Sequence, residues 1–142
     1  MIDIEVVKGD IERFFKSFNV DPIKKEKLGK KNGKLLSPIE TIDRLIQNGM
    51  LIVTDDGHLK YPLLEPIQND RSETIVSEMT FRNRRIRLDE AEKLNDKETT
   101  ELTKVKKMLS LLTGVEYALI SKVSMDDIEY LAEISVFFMP AQ

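Results

Sequence analysis

The sequence predicts an α+β fold, a small antiparallel β-sheet flanked by two N-terminal helices and a C-terminal helical bundle. Three observations lead there. Two stretches before residue 50 carry apolar residues at helical spacing, and the middle of the chain alternates apolar and polar residues around an Asp-Gly pair. From Leu88 onward the helical period returns. With 41% hydrophobic and 33% charged residues among 142, the chain has the balance of a globular domain rather than a disordered or fibrous one.

Each element has its own signals. After a short apolar-alternating start, "GDIERFFKSF" predicts a helix capped by Asp10, with Ile11, Phe14, Phe15 and Phe18 on one face. A Lys- and Gly-rich loop follows. In "SPIETIDRLIQNG", Ser37 stands at an N-cap, Pro38 in the first turn and Glu40 three residues past the cap. Ile39, Ile42, Leu45 and Ile46 make the apolar face, and Gly49 is the stop. Asp56-Gly57, between two β-rich runs, predicts a hairpin whose second run ends near Pro66. The polar turn "QNDRSE" then leads to a run alternating through Ile75, Ser77, Met79 and Phe81, so the sheet lies between Leu51 and Phe81. "LDEAEKL" is a short helix. Leu102, Val105, Leu109 and Leu112 give the next helix its stripe, and Gly114 ends it. One or two turns precede Ser124, which opens the last helix with Asp126 and Asp127 in its first turn, where the helix dipole favours acids.

Composition narrows the function classes. Cys is absent, which removes disulfides and thiolate metal sites and suits a reducing cytosol. No apolar run nears the roughly 20 residues that span a bilayer, and the N-terminus has no secretory layout, so a cytoplasmic protein without membrane contact is expected. The formal net charge of -3 speaks against general nucleic-acid binding. The charge is uneven, however: Pro22 to Lys34 carries six Lys and one Glu, and the residues after Asp89 are acidic.

Catalytic patterns are weak. His58 follows the Asp-Gly turn and reads as a solvated hairpin residue, with nothing near it resembling a nucleophile turn. Asp126 and Asp127 read as first-turn helix acids rather than a paired-carboxylate site. "GKKNGKL" brings its second Gly one residue too early for a phosphate loop, and Leu35 stands where a hydroxyl would hold magnesium. No catalytic residue, metal site or cofactor is assigned, and a non-enzyme is expected.

Two basic clusters allow an alternative. Helix, basic loop, capped helix and hairpin is the order of a winged-helix DNA-binding or regulatory protein, with Lys24, Lys25, Lys30 and Lys31 as its phosphate contacts. Against it, Glu40, Asp43, Arg44 and Gln47 give the would-be recognition helix a net negative outer face. The arginines of "RNRRIR" (Arg82, Arg84, Arg85 and Arg87) are better read as strand-edge or partner-facing charge.

The last helix is the least ordinary stretch. Ile128, Leu131 and Phe138, with Ser135 interrupting, form one apolar stripe; Tyr130, Ile134 and Phe137 form another. With Val136 and Met139 added, its second half is apolar nearly all round. One face can pack on the Leu102–Leu112 stripe. The other predicts a partner-binding surface of Tyr130, Leu131, Ile134, Phe137, Phe138 and Met139. In a third reading, that helix is the interface of a homo-oligomer.

The order "LKYPLLEPI", a strand ending "TFRNRRIRLDEAEKL", then "KKMLSLLTGVEYALISKVSMDDIEYLAEISVFFM" resembles the tail assembly chaperones of Mu-like contractile-tailed phages. The matching positions are Leu63/Leu64 with Pro66-Ile67, Phe81-Arg82, Leu112-Thr113-Gly114-Val115, Leu119, Asp127-Ile128 with Leu131, and Phe137-Phe138. They span residues 59–139. The family often begins near the first strand and has an R-x-P turn after the strands; here residues 1–55 precede that region and the Pro is missing. The resemblance therefore divides the chain into an N-terminal helical extension (1–55) and a chaperone-like domain (56–142). It implies a non-enzymatic role in the host cytoplasm: binding the tape measure protein, helping to present it to the tail tube protein, and leaving before the virion is complete.

Overall fold

The computed structural model describes residues 3–18, 38–84, 86–94 and 100–138. The side chains of Phe18, Pro38 and Ile39, and the Ser37 cap, lie outside the described residues. Helix α1 (Ile4–Phe18) and α2 (Pro38–Gln47) precede the strands β1 (Ile52–Val53), β2 (Leu59–Gln68) and β3 (Thr74–Thr80). Helices α3 (Leu88–Leu94), α4 (Glu101–Thr113), α5 (Tyr117–Ile120) and α6 (Met125–Ser135) follow, and a 3-10 turn, Val136–Phe138, ends the described chain. The α+β architecture is as the sequence predicts, with a three-stranded antiparallel sheet in the order β1-β2-β3.

The start of the chain departs from expectation. Within the alternating "IDIEVV", Ile4 to Val7 are helical, and α1 begins six residues before Asp10. The cap is Asp3, whose carboxylate accepts from the Glu5 amide (2.8 Å), while its carbonyl accepts from Val7 (3.1 Å). Val7 extends the stripe of Ile11, Phe14 and Phe15 by one helical turn, and its burial favours helix over a short strand. Asp10 instead pairs with Arg13 at 3.0 Å.

Arg13 docks α1 on the hairpin. Its guanidinium donates to the carbonyls of Val53 (2.8 Å) and Thr54 (2.9 Å) just before the turn. Within the turn, Thr54 donates its amide to His58 (2.8 Å) and accepts the Gly57 amide (2.9 Å). Gly57 has φ +85°, and a Cβ there would meet the Arg13 carbonyl at 2.8 Å. The Asn83 amide joins these parts, donating to Ser17 Oγ (2.6 Å) and the Gly57 carbonyl (3.2 Å).

One core runs through all these elements. Phe14 and Phe15 of α1, Ile42, Leu45 and Ile46 of α2, Tyr61 and Met79 of the sheet, and Leu109, Leu131, Phe137 and Phe138 further on belong to a single buried cluster. A boundary at 55/56 would cut through it, so the described part of residues 1–55 is not a separate module. Phe14 lies 5.1 Å from Phe137, ring centroid to centroid, and Phe81 stacks on Phe138 at 5.4 Å and 5°. The Ile86 amide donates to the Phe138 carbonyl (3.0 Å), so the backbone holds the turn as well.

Each Phe at the end of the chain carries the contacts of a central core residue. Phe137→Ala and Phe138→Ala are each expected to lower stability by about 3–5 kcal/mol, read from urea denaturation. The glycines give a second test. Gly114, at φ +75°, ends α4 under the flexible Arg82 side chain, whereas backbone blocks Gly57. Gly57→Ala should cost at least about 1 kcal/mol more than Gly114→Ala in the same denaturation series.

Candidate protein-binding surfaces and the Asp127 site

The predicted partner surface on the last helix is inside the molecule. Leu131, Ile134, Phe137 and Phe138 are each 0% exposed, and Tyr130 is half-buried against the core, its ring 6.4 Å from that of Tyr61. The expectation that the domain cannot cover both stripes is therefore corrected. Helix α1 supplies the second cover by setting Phe14 and Phe15 against Phe137. Met139 lies outside the described residues. Ser135, which interrupts the first stripe, is buried too and satisfies its hydroxyl on the Leu131 carbonyl (2.7 Å), one turn back.

What α6 leaves to solvent is narrower. Met125 is 60% exposed and Val136 51%. Eleven residues apart, they return to nearly the same helical azimuth, with Ala132 between them. Leu102 on α4, at 52%, is the outermost residue of a stripe whose deeper members, Leu109 and Leu112, are buried.

The first turn of α6 holds a site that the sequence showed only in part. Ser124 caps the helix, its Oγ accepting the Asp127 amide (3.1 Å). Asp127 is itself 0% exposed and reaches across to β2. Its Oδ1 accepts from the Tyr61 hydroxyl (2.8 Å) and the Leu64 amide (2.9 Å). Its Oδ2 accepts from the Glu65 amide (3.1 Å) and Ser124 Oγ (2.9 Å). Four donors fill the carboxylate. Among the described residues no cation lies within ion-pair distance, so hydrogen bonds and the helix N-terminus hold the charge.

Those four bonds decide the ionisation. Burial pushes the Asp127 carboxyl up, but the Leu64 and Glu65 amides, Tyr61 and Ser124 together outweigh it and hold it below its ordinary 3.8. Burial, then the hydrogen bond to Asp127 and its charge, push the Tyr61 phenol well above its ordinary 10.0. A carboxylate with every acceptor position filled is a latch between helix and strand; it has no lone pair free to take a substrate proton. The Ser-x-x-Asp spacing showed the local cap, but the link to Tyr61, 66 residues away, has no periodic signal.

The latch also finishes an edge of the sheet. Strand β1 covers β2 only where Ile52 and Val53 pair with Lys60 and Leu59. Between Pro62 and Pro66, both prolines lack an N–H, and Leu64 and Glu65 give theirs to Asp127.

The other sequence candidates are spread over the surface. His58 sits in the hairpin turn, 4.0 Å from the Asp56 carboxylate, and Asp126 is exposed. Arg84 pairs with Glu90, and Arg87 with Asp89 (3.3 Å) and Glu90 (3.5 Å). Arg82 lies over Gly114, its amide donating to the Leu112 carbonyl (2.7 Å). Arg85, Lys24, Lys25, Lys30 and Lys31 lie outside the described residues. Helix α2 packs on α1 and α6, its Arg44 engaged with Glu133 (2.9 Å). An open cleft of about 430 Å³ lies between α3 and α4, where Arg87, Lys93 and Lys107 mix with Asp89 and Glu90. Among the described residues, no three His, Cys, Asp or Glu side chains converge as a metal site requires, and no helix is long and apolar enough to cross a membrane. Comparison with protein-family models, with curated proteins and with solved structures finds no match.

The pH dependence of stability tests the latch. The folded pKa of Asp127 lies below its unfolded value, so its contribution is present above that value and lost as the pH falls through the folded pKa. Tyr61, raised on folding, contributes fully below 10.0 and loses this contribution as the pH rises further. Asp127→Asn should cost about 1–3 kcal/mol at neutral pH and flatten the acid limb of stability. Tyr61→Phe should flatten the alkaline limb. Urea midpoints measured across pH check both.

Proposed function

We propose that this chain is a non-enzymatic, protein-binding domain of the tail-assembly-chaperone kind. It holds the tape measure protein in the host cytoplasm, delivers it to the tail tube protein, and is absent from the finished virion. The observation that carries the reading is that several of the residues on which the resemblance rests touch one another. Asp127 binds the β2 segment containing Leu64, and Phe81 stacks on Phe138. Arg82 lies over Gly114 with its amide on the Leu112 carbonyl.

The client surface in this reading is not the buried Phe pair. It is the outer stripe of α6 and the turn that follows it, Met125, Ala132 and Val136, where thin apolar contacts among charged neighbours suit a client held loosely and then released. A long amphipathic helix laid along such a stripe needs few specific partners.

Co-expression with the tape measure protein of a contractile-tailed phage tests the proposal. The client's soluble fraction should rise severalfold with the wild-type chain. With Met125→Asp plus Val136→Asp that gain should largely disappear, while the variant keeps its melting temperature within a few degrees because both positions are exposed. A client equally insoluble with and without the chain would refute the chaperone reading. Rescue undiminished by the double variant would refute the stripe alone.

A further inference from the structure

The two edges of the sheet are treated differently. The β2 edge beyond β1 is finished by Pro62, Pro66 and the Asp127 latch. Strand β3 is the terminal strand on the other side, and among the described residues nothing pairs with its outer edge. The Phe81 amide donates to the Leu59 carbonyl (2.8 Å), so by the two-residue period Met79 also faces β2, while the amides of Glu78 and Thr80 face outward. Most of the usual deterrents of edge pairing are missing there, although the ladder to β2 shifts register where Ile67 and Gln68 pair with Val76 and Thr74. The strand contains no Pro and no Lys, and its single charge, Glu78, is matched by Lys60 at 3.6 Å. Ile75 is left 47% exposed.

We propose that β3 is the interface of a two-fold homodimer, in which the outer edges of two β3 strands pair antiparallel about Ser77. Ser77 is the midpoint of Thr74–Thr80, so this register alone overlaps the whole strand. By residue count it places Ile75 across from the partner's Met79, whose own side chain is buried in the core, and Thr74 across from the partner's Thr80, each pair involving a residue beyond the register shift of β3. Glu78 falls opposite the partner's Val76 and not opposite its own copy, which avoids facing like charges. The charge at the two ends of the hairpin selects a second copy as the occupant. The turn carries Asp70 and Glu73 with one Arg71, while the base carries Arg82, exposed and outside any ion pair among the described residues. A two-fold axis through Ser77 brings the acidic turn of each copy towards the basic base of the other, at both ends of the interface. Such a contact is isologous and closes at two, so it does not propagate into a fibre.

The absence of Cys makes a clean test possible. By the two-residue period counted from Phe81, Ser77 faces β2, so across the new interface it occupies a non-hydrogen-bonded pair, where Cα atoms stand about 4.5 Å apart, close enough for a disulfide. Under mild oxidation Ser77→Cys should form a disulfide-linked dimer much faster than Ile52→Cys, a solvent-exposed control on β1. In analytical ultracentrifugation the wild-type chain should dimerise reversibly. Glu78→Pro, which removes one outward N–H from each copy, and Ile75→Lys should each weaken the dimer roughly tenfold or more. Circular dichroism monitors the fold of each, and Ile75→Lys decides should the proline variant unfold. A monomer at all concentrations overturns the proposal, as does cross-linking of Ser77→Cys no faster than Ile52→Cys. A dimer that both folded variants leave intact also overturns it, placing the interface elsewhere. A monomer that loses client capture on Glu78→Pro overturns it in favour of a client strand at the same edge. Only the last of these outcomes depends on the chaperone reading.

Discussion

A carboxylate buried between a helix and a strand, with no counter-ion among the described residues, fixes this structure. Placing Asp127 in the interior is tolerable only with all four donors in position, because removing one leaves a charge short of compensation in a medium of low dielectric. Its geometry is therefore demanding. Two donors are amides of β2, one is the Tyr61 hydroxyl and one is the cap of its own helix. Rotating α6 by one residue would take the carboxylate away from β2 and turn its apolar stripes out of the core together. The latch orients the helix; the hydrophobic contacts farther along supply most of the stabilisation.

The opposite end of α6 is held by a different kind of force. Phe137 and Phe138 enter a cluster of rings from α1 and from the chain just after β3, with centroids between 5.1 and 6.4 Å. Such contacts are strong but tolerant of angle. A directional polar anchor at the first turn and a forgiving aromatic one at the last divide the work: the first sets azimuth, the second supplies free energy. The ends of the described chain thus meet in space. Helix α1 completes the core instead of decorating it, and without it the ring of Phe137 would lose two of its aromatic neighbours.

Local signals in the sequence gave a reliable reading wherever a cap, a turn or a period was at work. Ser124 and Gly114 bound their helices as their chemistry requires, Gly49 follows α2, and Asp56-Gly57 makes the hairpin. The misreadings share a cause. "IDIEVV" satisfies a two-residue alternation over too few positions to outweigh the helical phase of Val7 with Ile11, Phe14 and Phe15. In α6, periodicity shows which faces are apolar but is silent on what covers them, and the cover came from a helix more than 100 positions away. Asp127 had the correct local explanation and an unseen tertiary one, since a first-turn acid looks the same in sequence whether it faces water or a strand.

Under the proposed chaperone reading, the burial of the aromatic end changes the kind of client contact this chain would make. A deep pocket that accepted client side chains would have to open the core around Phe137, against the cohesion of packed rings and the Asp127 latch at the other end of the helix. The surface that remains is shallow: Met125, Ala132 and Val136 along α6 and the turn that follows it, set among Glu129, Glu133 and Asp126. Contacts of that type are exchanged rapidly and discriminate poorly among amphipathic helices. Both properties suit a protein that must hold a long, repetitive helical chain at many places and then let it go. Rigidity behind the stripe matters here, because a helix pinned at both ends presents its outer face without first having to be ordered, and so little of a weak contact energy is lost to conformational entropy.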